Sequence, residues 1–127
     1  MKEETKFNTQ AAKNLIWNEM DGFYEVESTR QQTLEFEKHL DSIPVHEYAL
    51  VIDATKLKTF KPEILPILEY AYGFYHRFKI AIIIEPEFVS AGIQLKRIAR
   101  KIPDCNVQFM KTEDEAKVLL RQEGWNL

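Results

Sequence analysis

Cysteine is nearly absent from this 127-residue sequence. Cys105 stands alone, so no disulfide can form within the chain, and a reducing compartment suits it. Glycine is also sparse. Gly22, Gly73, Gly92 and Gly124 are too scattered to build a Walker loop or a dinucleotide fingerprint. No nucleophile elbow or paired Cys-x-x-Cys is found either. The apolar run Ile80–Ile84 falls far short of the ~20 residues that span a bilayer. The opening MKEETKFNTQ lacks the apolar segment of a secretory signal, so a cytoplasmic protein is expected. The net charge of −3 lacks the basic excess that neutralises phosphates, which argues against nucleic acid as a partner. His39, His46 and His76 show no metal-ligand spacing, so neither a metal nor a cofactor is expected.

What is present is an ordinary globular balance, 45% apolar and 29% charged residues, without linker or repeat. A single domain over residues 1–127 follows. Thr5–Thr9 and Asn14–Asp21 read as a β-hairpin about a turn at Ala12-Lys-Asn14, with Leu15 and Trp17 on one face and Ile16 and Met20 on the other. Ser28-Thr-Arg-Gln31 has capping-box spacing and opens a helix to about Ile43, ended by Pro44. Its inward face, Thr29, Thr33, Phe36, Leu40 and Ile43, is unusually polar in its first half.

Tyr48–Asp53 and Lys79–Ile84 read as strands buried on both faces. Pro62 begins a second helix reaching Phe78, and Pro86 begins a third reaching Ile102, closed by Pro103. Val107–Met110 is a short strand, and Thr112-Glu-Asp-Glu115 caps a last helix that ends near Gly124. The order β-β-α-β-α-β-α-β-α predicts an α/β fold. Its five-stranded sheet would be mostly parallel, with an antiparallel N-terminal edge hairpin and flanking helices.

This order resembles the STAS superfamily with its SpoIIAA-like fold, and in particular its stand-alone bacterial branch. The likeness is carried by Met20-Asp-Gly-Phe23, Val51-Ile-Asp53, Gln94-Leu-Lys-Arg-Ile-Ala-Arg100 and Thr112-Glu-Asp-Glu-Ala116. Anti-sigma antagonists of the superfamily carry an acceptor serine at the helix after this strand, where this sequence has Lys61-Pro-Glu-Ile64. No serine lies between Asp53 and Ile84, so no phosphorylation site carries over. The branch is also similar in fold to the lipid-binding lobe of CRAL-TRIO proteins, which implies an apolar-ligand or membrane-surface role.

Four features invite function. Asp53 ends a buried strand, where open α/β sheets bind ligands; its carboxylate is either a reactive group or the acceptor that fixes the turn. On the second helix, Ile64, Ile67, Leu68, Ala71, Tyr75 and Phe78 form a core face, which Leu65, Tyr72 and Phe74 widen, with Tyr70 outside. Tyr72, Phe74 and Tyr75 therefore either line a ligand cavity, form a dimer contact, meet a membrane, or broaden the core. On the third helix Ala91, Leu95, Ile98, Ala99 and Ile102 face inward. Lys96, Arg97, Arg100 and Lys101 face outward, complementing the helix dipole or attracting an anionic surface. Finally, Cys105 reads as a small structural thiol.

The expectation is a non-catalytic module, not an enzyme, that engages a protein partner or a small apolar or lipid ligand. Its location is the cytoplasm, with the inner face of the membrane as a second station. Two alternatives remain. One is a small enzyme pairing Asp53 with His46 or His76. The other is a homodimer built on the second helix.

Overall fold

The computed structural model describes residues 14–22, 25–58 and 61–127. The β-branched runs fold as the inner strands β2 (Ala49–Leu57) and β3 (Ile80–Ile84), with β1 (Leu15–Gly22) and β4 (Val107–Met110) outside them. All three pairings are parallel, and the strands lie in space in chain order, β1-β2-β3-β4. Among the described residues the sheet therefore has four strands. The expected antiparallel edge hairpin needs the strand Thr5–Thr9, which lies outside the described residues; its second strand, β1, runs parallel to β2.

Parallel neighbours need a crossover, and α1 (Val26–Leu40), α2 (Leu65–Tyr75) and α3 (Val89–Lys101) supply the three. Their apolar stripes meet Ile16, Leu50, Ile52, Ala54, Ala81 and Ile83 on one sheet face. Alternation sends Leu15, Val51, Ile82 and Ile84 to the other face, where α4 (Glu113–Gln122) and Trp125 cover them. Trp125 is tied down by its indole N–H, which donates to the carbonyl of Asn14 at 2.9 Å. That same carbonyl accepts the Ala49 amide at 3.0 Å, joining the chain's last turn to the start of the sheet.

Two boundaries differ from expectation for local reasons. α1 starts at Val26, not at Ser28, and the Ser28 and Thr29 hydroxyls donate back to the carbonyl of Glu25. β2 continues past Asp53 to Leu57, because Ala54 and Leu57 are fully buried and β1 follows beside it through a register shift between Glu19 and Asp21. The N-cap half of the box read for α4 forms, the Thr112 hydroxyl accepting the Glu115 amide at 3.1 Å. No helix among the described residues is long and apolar enough to cross a membrane.

Candidate functional site

The polar first half of α1 has a structural counterpart. Thr29 and Thr33 occupy positions where longer apolar side chains would close the gap between α1 and the sheet. Their hydroxyls donate to the carbonyls of Glu25 and Thr29, at 2.6 and 2.8 Å. The space left over is a cleft of about 100 Å³ between α1, α2 and the β1–β2 edge of the sheet. Asn18, Thr29, Gln32 and Thr33 form its polar side; Phe36, Ile52, Leu68, Phe74 and Tyr75 form its apolar side. The Asn18 Oδ1 is buried and has no hydrogen-bond partner among the described residues. Burial pushes the Tyr75 phenol far above its ordinary range, so it stays protonated at neutral pH.

The residues singled out in the sequence divide. Phe74 and Tyr75 line the cleft; Tyr72 and Asp53 do not. α2 is the middle helix on its sheet face, packed against α1 on one flank and α3 on the other. That position accounts for its apolar breadth, and Tyr72, Phe74 and Tyr75 are all buried. Phe74 meets Phe36 of α1 at a ring-centroid distance of 6.0 Å, while the Tyr72 and Tyr75 rings lie tilted to each other at 5.4 Å. Tyr70 is the one α2 aromatic left exposed, its hydroxyl donating to the Glu37 carboxylate, which raises its pKa.

Asp53 points to the opposite sheet face, in step with Val51. Its Oδ1 accepts from both the amide (3.1 Å) and the hydroxyl (2.7 Å) of Thr55, so it holds the local backbone. His46 and His76 lie just before the first residues of β2 and β3, at the opposite end of the sheet. Ala49 and Asp53 alone are roughly 13 Å apart at about 3.3 Å per residue, so no Asp–His hydrogen bond spans that length. No cluster of three or more His, Cys, Asp or Glu side chains among the described residues is arranged to hold a metal ion. Cys105 is half-buried against the core.

The basic residues of α3 also divide. Lys96 pairs with Glu85 at 2.8 Å and Lys101 with Glu69 at 3.3 Å, one on each flank of the helix. Arg100 and Arg97 remain on the outer ridge, both exposed. The same ridge carries Ile93 and Val89, 52% and 75% exposed, and ends at Phe88, 47% exposed beneath the Lys58 ammonium. The sequence does not announce this apolar end, because Pro86 signals a helix start three residues before the one α3 makes at Val89. Asn18 and Gln32 were missed because only the fold brings β1 beside α1; the Thr29/Thr33 pair was the available signal.

No family model and no curated protein matches the sequence. Among solved structures, the chain is similar to an uncharacterised DUF3478-family protein with a SpoIIAA-like fold from Shewanella loihica PV-4. The TM-score is 0.60 at 20% identity over 84% of this chain and 83% of that one. The fold is SpoIIAA-like. An anti-sigma factor antagonist from Mycobacterium paratuberculosis is similar at a TM-score of 0.56 and 18% identity, over 85% of this chain and 86% of that one. Within this SpoIIAA-like frame, Lys61 and Pro62 begin a short 3₁₀ turn leading into α2, at the place the resemblance assigns to an acceptor serine.

Proposed function

We propose that this SpoIIAA-like chain is a non-catalytic binding module that takes a small, largely apolar ligand in the cleft between α1, α2 and β1. The observation that carries the reading is the cleft itself: an apolar floor with a few convergent polar groups, the usual composition of a small-molecule site. The separation of Asp53 from His46 and His76 supports a binding role over an enzymatic one. Amide chemical shifts recorded with toluene and benzyl alcohol as probes test it. Shifts confined to β1, α1 and α2, and lost in Thr33→Phe, are expected, since the phenyl ring would fill the gap. Absence of localised shifts with either probe sinks the reading.

A second reading rests on the α3 ridge. Three exposed apolar side chains beside two exposed arginines fit contact with an anionic membrane surface or with a protein partner. The similar mycobacterial protein is an anti-sigma factor antagonist, which favours a protein partner in general terms. A phosphorylation switch of that kind has no support in the Lys61–Leu65 segment, which contains no hydroxyl side chain.

A further inference from the structure

The polar side of the cleft is unbalanced in a way that selects among ligands. The Thr29 and Thr33 hydroxyl protons are committed to backbone carbonyls, so these side chains offer the cleft only oxygen lone pairs. Asn18 Oδ1 is a further acceptor, buried and without a partner among the described residues. No Lys, Arg or His is among the lining residues. Gln32, Tyr75 and the Asn18 amide nitrogen carry donors, but none is a cation, and Glu19 also belongs to the lining. An entering carboxylate or phosphate would lose its hydration beside three oxygen acceptors with no positive charge to replace it. A ligand with an N–H or O–H group would find acceptors within the lining that lack a proton to accept.

From this acceptor-rich, cation-free lining we infer that the cleft binds a compact aromatic or aliphatic molecule ending in an N–H or O–H donor, uncharged or cationic, and rejects anions. The inference rests on the cleft being a ligand site and adds the chemistry of the ligand. The volume of about 100 Å³ is below the ~150 Å³ of a dry cavity that takes benzene, so a single ring is the upper limit for the buried part. The donor group then sits at the polar side, by Asn18.

Four probes of one shape separate the contributions: toluene, benzyl alcohol, benzylamine and benzoate, titrated into the full chain while amide shifts are followed. Benzyl alcohol and benzylamine are expected to bind about tenfold more tightly than toluene, and benzoate not to bind. Asn18→Leu, which keeps the branched heavy-atom shape and removes the polar atoms, should remove the advantage of both donors and leave toluene unchanged or tighter. Asn18→Asp, which keeps the acceptor and adds a charge, should favour benzylamine over benzyl alcohol by a further tenfold. Should Asn18→Leu fail to fold, Asn18→Asp alone tests the position. Equal binding of all four probes, or donor preference that survives Asn18→Leu, overturns the inference while leaving the cleft a site. Binding of none overturns the cleft reading itself.

Discussion

The Tyr72 hydroxyl is buried, with the Tyr75 ring beside its own, and no group among the described residues bonds to it. A buried hydroxyl without a partner costs free energy that its removal recovers. Tyr72→Phe is therefore expected to leave stability unchanged or raise it by about 1 kcal/mol in urea unfolding. The alkaline limb gives a second readout. Burial raises the Tyr72 and Tyr75 pKa values above the ordinary 10.0, so the unfolded chain releases these protons first. Their contribution is complete below pH 10 and falls as pH rises beyond it. Tyr72→Phe should flatten that fall; an unchanged alkaline limb would contradict the burial of this phenol. In the sequence, Tyr72 was placed beside the core face by helical geometry alone. Its lack of a partner was not legible, because the atoms around it come from elements distant in the chain.

Elements were legible wherever the signal was local. β2 and β3 follow from β-branched runs, and α4 from Thr112 with its acidic first turn. α1 shows where a local signal misleads. Ser28 has the spacing of a cap, yet the helix has already begun at Val26, and the hydroxyl serves a carbonyl instead. The two sites make a matched comparison. Thr112→Ala should cost about 1 kcal/mol by thermal unfolding, the usual loss for a cap that binds an amide. Ser28→Ala should cost well under that; an equal loss would mean Ser28 does cap α1. The breadth of α2 could be seen but not assigned, since its flanks are made by α1 and α3 and a helical wheel contains neither. The cleft was half legible: the Thr29/Thr33 pair announced a polar stripe, but its counterpart Asn18 reaches it only through the sheet.

At the scale of the molecule, a net charge of −3 coexists with an outer α3 ridge whose exposed ions are Arg97 and Arg100. If that ridge meets anionic lipid, binding to phosphatidylserine vesicles should weaken with salt, because headgroup attraction is screened within ~8–10 Å. Arg97→Gln with Arg100→Gln should abolish co-flotation without moving the melting curve, whereas Lys96→Gln with Lys101→Gln should matter less, since those ammonium groups already face Glu85 and Glu69. Equal loss in both pairs would dissolve the distinction between ridge and flanks. The plan of the sheet has a separate bearing on how the chain is made. Strands that lie in chain order let each new strand dock on the one synthesised before it, with nothing to thread back. The cover is not so evenly timed. α1 and α2 are translated between the strands they join, but among the described residues the face bearing Val51 and Ile82 is covered by α4 and Trp125. The nascent protein thus lacks that cover until α4 and Trp125 have been made, and that interval is when the aliphatic face is most exposed to aggregation and most in need of a chaperone.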